Sequence, residues 1–222
     1  MPTAHRSMAY PLFSLTGTLL IVVAALLHPN LEGEGPAQLA MIAHSDAWRA
    51  IHWAFLFGFP LSLAGLVGIL VRLAGTPGEA AARGGVVVGG FAYGAWLIVV
   101  AFMLGSGWAL ARSYAAAEPG MAATNAVFVY DMLRPFALAA QRIAGFALGI
   151  ATCLLGWGMV RGRSDAAWLG WSGLASGLIA VALTVVFGEA TKADQMAFAP
   201  PVLWQCVTAG VYARRAGAPS AP

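Results

Sequence analysis

Three of the chain's four histidines, His28, His44 and His52, fall within 25 residues, and Asp46 sits among them. Neutral imidazoles are common metal ligands and a carboxylate adds a hard oxygen, so this quartet would suit a zinc or iron ion. The same residues admit a second chemistry, with His28 and His52 on neighbouring helices as axial ligands of a haem b. Its propionates would then meet Arg142 or Arg49. No HExxH, His-x-His or i, i+4 histidine pair accompanies them. A histidine near a helix end also has a plainer use, bonding the last carbonyls of the helix.

Gln141, Arg142 and Glu189 form a second candidate group, for ligand binding. Arg142 follows Gln141 in an otherwise apolar stretch from Pro135 to Trp157. Depth favours Glu189 as its partner, with Asp131 and Asp194 behind it and a lipid phosphate as competitor. A guanidinium that snorkels to the headgroups is the plainer alternative. Other reaction patterns fail: there is no GxSxG, no phosphate-cradling loop after a strand and no paired acid/base carboxylates. Cys153 and Cys206 each lie in an apolar block, as small hydrophobes do. The twelve Lys and Arg are scattered, so nucleic acid is not an expected partner.

Any element that positions these residues must be buried in lipid. Of 222 residues, 60% are apolar and 9% charged, against about 25% charged in a soluble chain. The apolar residues come in long uncharged blocks, each enough for a helix to cross a ~30 Å hydrocarbon core. The fold class read from this is all-α, a polytopic membrane bundle of six helices over about 8–28, 49–73, 85–111, 135–160, 167–189 and 195–213. The first block, closing with Leu26-Leu27-His28-Pro29, is too long and ends too bulkily for a cleaved signal, so it is read as a retained helix. Between the third and fourth spans, residues 113–134 are expected to form a short surface helix carrying Phe128, Tyr130 and Met132. Pro200-Pro201 is expected to kink the sixth span.

Basic residues give the orientation. Arg6, Arg72, Arg83, Arg161, Arg163, Arg214 and Arg215 fall on one side, against Arg49, Arg112, Arg134 and Lys192 on the other, which puts both termini in the cytoplasm. Trp48, Trp53, Trp108, Trp157, Trp168 and Trp171 fit aromatic belts at the two headgroup levels. Small-residue pairs at 85–89, 90–94, 145–149 and 173–177 suit close helix packing. GILVRLAG and WGMVRG at the ends of the second and fourth spans suggest duplicated hairpins, which would set His52 opposite Gln141.

Counting back from the basic anchors at about 1.5 Å per residue brings His28, His52, Gln141, Arg142, Glu189 and Asp194 to one outer level, with no ionisable group deeper. The expectation is a bacterial-type protein of the cell inner (plasma) membrane. Its outer-leaflet cluster would bind a metal, haem or small ligand in a binding or redox-accessory role. The alternatives are a helix-packing assembly subunit with membrane partners or copies of itself, a small-solute transporter, and a membrane hydrolase using His-bound zinc.

Overall fold

The computed structural model describes residues 8–163, 167–187 and 196–217, and they are helical throughout apart from turns. The helices are α1 (Ala9–Leu27), α2 (Gly35–His44), α3 (Trp48–Leu73), α4 (Glu79–Phe102), α5 (Trp108–Ala116), α6 (Met121–Arg161), α7 (Ala167–Val186) and α8 (Ala199–Gly217). A π-helical turn, Met103–Gly107, joins α4 to α5, so the chain is helical without a break from Glu79 to Ala116.

The six long helices close into a ring among the described residues. α1 packs on α3, α3 on α4, α4 on α6, α6 on α7, α7 on α8, and α8 returns to α1. Short turns enforce this order; the one after α3 has Gly75 at φ 73°, a conformation that glycine adopts without strain. Tyr10, Arg72 and Tyr212 border one small void, so the start of α1 and the end of α8 lie at the same end of the bundle. Arg72 lies over the Tyr212 ring at 4.2 Å, tying α3 to α8 there.

Two seams are closed by glycine. A Cβ on Gly177 would sit 2.4 Å from the Gly149 carbonyl oxygen, and one on Gly17 would sit 2.5 Å from the Ser62 nitrogen, so α6–α7 and α1–α3 meet backbone to backbone. Gly85 and Gly89 likewise abut Leu155 and Leu66. The 90–94 pair does not behave as expected: neither Gly90 nor Gly94 has anything within 4 Å of a would-be Cβ, because this face of α4 turns out of the ring.

The outward faces are apolar. Leu12, Leu19, Val23, Phe57, Val87, Phe91, Ile98, Ile143, Leu178 and Val185 are all exposed, a contiguous surface that a lipid environment satisfies and water does not. Five helices are long and apolar enough to cross a membrane: Ala9–Leu27, Trp48–Leu73, Glu79–Ala116, Met121–Arg161 and Ala167–Val186. α8, expected as the sixth, has the length but falls short in apolarity, since Gln205, Thr208, Arg214 and Arg215 interrupt it. The molecule is an all-helical membrane bundle.

Two boundaries differ from expectation. No separate surface helix forms between the third and fourth spans: α6 starts at Met121 and runs 41 residues, through Pro135. At 1.5 Å per residue that is roughly 60 Å, about twice the hydrocarbon thickness, so its first turns project beyond the core. Proline costs a helix interior about 3 kcal/mol, and packing on both sides of Pro135 offsets it, with Ala126 and Tyr130 buried before it and Ala137 and Ala140 after. Pro200 and Pro201 fall in the first turn of α8, where their missing N–H groups have no partner to lose, so they start a helix rather than kink one. The projecting ends of α5 and α6 pack with α2 into a cap around Leu39, Ile42, Trp48, Ala111 and Tyr130.

Candidate functional site

Under this cap the ring lines a partly open cavity of about 280 Å³, at the small end of ligand pockets (~300–1,000 Å³). α1, α3, α4, α6, the start of α8 and the 3₁₀ turn Met196–Phe198 supply its wall, while α7 contributes none of its lining. Polarity is segregated along its length. At the cap end stand His28, Asn30, Gln38, His52, Tyr130 and Arg134; deeper stand Ile21, Phe59, Trp96, Val100, Leu148 and Val202.

Each polar residue is delivered by a helix end. His28 closes α1, and its Nδ1 donates to the Pro29 carbonyl at 2.8 Å. His52, one turn into α3, is buried, and its Nδ1 donates to the Trp48 carbonyl at 2.7 Å. The two rings meet edge to face at 5.2 Å, and Trp48 packs on both, 5.2 Å from His28 and 4.3 Å from His52. Desolvation of the half-buried His28 ring holds its pKa below the ordinary histidine value, against the opposing pull of the bond to Pro29.

Trp48 is fully buried and its indole N–H donates to the Met103 carbonyl at 3.1 Å. Far from being a belt residue, it anchors α3 to the π-helical turn, a distortion that recurs at functional sites. Trp53, Trp157, Trp168 and Trp171 are exposed, as a belt position requires. On the α6 side, the Tyr130 hydroxyl donates to Gln38 Oε1 at 2.9 Å and Gln38 Nε2 donates to the Gly33 carbonyl at 2.8 Å, which fixes α2 over the cavity. At the floor, Tyr93 donates to Gln205 Oε1 at 2.9 Å.

The structure brings together His28 and His52 from the expected metal quartet. It leaves His44 and Asp46 exposed on the surface. The reason is helical phase: α2 buries Gln38, Leu39 and Ile42, which turns His44 outward, and its Nδ1 bonds the Ala40 carbonyl of its own helix. Among the described residues no three His, Cys, Asp or Glu side chains gather as a metal-ligand set. Nor does the pair fit a bis-imidazole haem. That arrangement needs two nitrogens facing each other across a flat macrocycle, whereas edge-to-face contact leaves no slot between these rings.

Gln141 lines the cavity but Arg142 does not. Successive helical residues point about 100° apart, and Arg142 turns to α7. There its Nε and Nη2 donate to the Thr184 carbonyl at 3.1 and 2.9 Å, and Nη2 to the Phe187 carbonyl at 3.2 Å. It thus satisfies carbonyls that the end of α7 leaves without intrahelical partners. Glu189 and Asp194 lie outside the described residues, as does His5.

Sequence reasoning missed Gln38, Tyr130 and Arg134 as site residues. A usable signal was present: Tyr130, Arg134, Ala137, Leu138, Gln141 and Leu148 form one face of α6 at spacings of three, four and seven. The span boundary expected at 135 cut that face in two.

The fold and this cavity define a class, a helical membrane protein with a ligand-sized chamber at one end. No family model, curated protein or solved structure matches the chain.

Proposed function

We propose that this is a multi-pass protein of the cell inner membrane, with both termini cytoplasmic, that binds a small amphiphile in the cavity. The oxygen-bearing head would sit at the cap end and the apolar body against Phe59, Trp96 and Val202. The observation that carries the reading is a lining that is mainly polar at the cap end and mainly apolar below it within one chamber. The seven-to-four split of basic residues supports the orientation, which turns the cap to the exterior. Two imidazoles supply half of a tetrahedral zinc sphere, so a small organic ligand fits the lining better than a metal.

The test uses Trp96, which lines the chamber, in purified protein reconstituted in nanodiscs. Titration with 8-bromooctan-1-ol is expected to give saturable heavy-atom quenching over the linear background from lipid-facing tryptophans. Ala25→Phe, which fills the chamber, and Trp96→Phe, which removes the reporter, should each abolish the saturable part. Linear quenching alone in the unsubstituted protein would end the proposal.

A second reading, passage of a small solute through the ring, is favoured by one observation. Below the floor, Gln205 Nε2 and Thr208 Oγ1 are buried without hydrogen-bond partners among the described residues. Gln205 and Thr208 also border the small void beside Arg72 at the opposite end. Solute-driven swelling of proteoliposomes that is lost in Gln205→Leu would support passage; equal swelling in empty and protein-bearing vesicles would refute it.

A further inference from the structure

The two histidines constrain the head group of the ligand. A backbone carbonyl oxygen only accepts hydrogen bonds, so the bonds to the Pro29 and Trp48 carbonyls place the hydrogen of each neutral ring on Nδ1. Each Nε2 then carries a lone pair at the far edge of the ring, away from the main chain it is tied to. Both rings line the chamber, and among the described residues neither Nε2 has a hydrogen-bond partner.

Three donors of the cap are already engaged. The Trp48 indole N–H serves Met103, the Tyr130 hydroxyl serves Gln38, and the Gln38 amide serves Gly33. Two acceptors therefore line the chamber with no protein hydrogen on them among the described residues, where an unmet polar atom is costly and a matching ligand group gains. Arg134, also lining the cap end, is a donor that accommodates an oxygen acceptor on the same head.

We infer that the chamber selects amphiphiles whose head carries a neutral O–H donor, a phenol or an alcohol, whose one hydrogen is shared between Nε2 of His28 and Nε2 of His52 as a three-centre bond. This rests on the amphiphile-binding reading and is tested apart from it. A carboxylate head, having no hydrogen to donate at neutral pH, would meet these lone pairs with repulsion.

The experiment displaces the bromooctanol signal with three competitors of matched chain: 4-butylphenol, its methyl ether 4-butylanisole, and 4-butylbenzoate. The phenol is expected to compete roughly tenfold better than the ether, the worth of about one hydrogen bond. His52→Phe keeps an aromatic ring and removes the acceptor, so the phenol should fall to the level of the ether. The ratio of phenol to ether, rather than either alone, is the readout, so a change in the chamber common to both cancels. His28→Phe should act in the same direction.

Equal competition by phenol and ether, or a benzoate that competes best and ignores both substitutions, would overturn the inference while leaving the chamber standing. If His52→Phe weakens the ether as well, His28→Phe decides: a phenol advantage kept there also overturns it. Failure of all three competitors together with bromooctanol would instead sink the amphiphile reading itself.

Discussion

The α6–α7 seam and the cavity wall share helix α6 and solve opposite problems. Along the seam, Gly149 and Gly177 bring two backbones together with no side chain between them, and Gly156 does the same against Gly170. Along the cavity wall, Phe55 stacks on Phe59 and Trp96 packs tilted against Phe59, a series of aromatic rings that holds the helices apart and keeps a chamber open. One helix thus carries a small-residue face that closes and a Tyr130–Gln141 face that stays open. A binding chamber inside a helical ring requires both, since space is kept on one side only if the other side is locked.

The largest effect should come from breaking the lock. Gly177→Val would drive a Cβ to within 2.4 Å of the Gly149 oxygen and 2.5 Å of Cys153 Sγ. Backbone cannot yield as a flexible side chain does, so a loss of about 3 kcal/mol or more is expected, read as low recovery of monodisperse protein and a collapsed melting temperature. A variant that melts like the parent would show that the seam is not close-packed.

Arg142→Met comes next. It deprives the Thr184 carbonyl of α7 and the Phe187 carbonyl just past it of a charged donor, for an expected loss of about 1–2 kcal/mol in thermal stability. Because Arg142 stands outside the chamber, bromooctanol affinity should stay as it was. Weakened binding with unchanged melting would reverse that assignment and restore Arg142 as a ligand contact.

On the open side, pH sharpens the comparison. An imidazole loses its Nε2 lone pair on protonation, so the advantage of phenol over ether should shrink as pH falls. Burial lowers the pKa of His28, so the loss should set in below the ordinary histidine range rather than at neutrality. His52, Trp48 and Arg134 are the groups that face it across the cap end. Competition measured from pH 8 down to pH 5 checks this, roughly the interval that brackets an unperturbed histidine. An advantage that grows as pH falls would point to an anionic head instead.

The smallest effect is expected at Gly94, an exposed glycine with open space around its Cα. Gly94→Ala should be tolerated with a gain of up to about 1 kcal/mol from helix propensity. A marked loss of stability would place an unrecognised contact on that face of α4.

Much of the fold was legible because hydropathy and helix length are local properties. Uncharged blocks marked every long helix, and counting from Arg72 and Arg161 brought His52 and Gln141 to a common depth; both do line one chamber. What counting along an axis omits is rotation about it. Gln141 and Arg142 share a depth yet serve different neighbours, and His44 lies near His52 in sequence yet faces outward. The cut at Pro135 had the same origin: proline reads as a boundary locally, while the packing that carries α6 through it comes from α2, α4, α5 and α7.

Composition and block length alone determined that the chain is helical and lives in lipid, because an uncharged segment has one way to satisfy its backbone there. Which faces close on glycine, which faces hold a chamber, and which two of the three described histidines share it were decided by the ring of helices. Those outcomes depend on the rotation and register of each helix against its neighbours, and these are fixed by contacts between residues far apart in the chain.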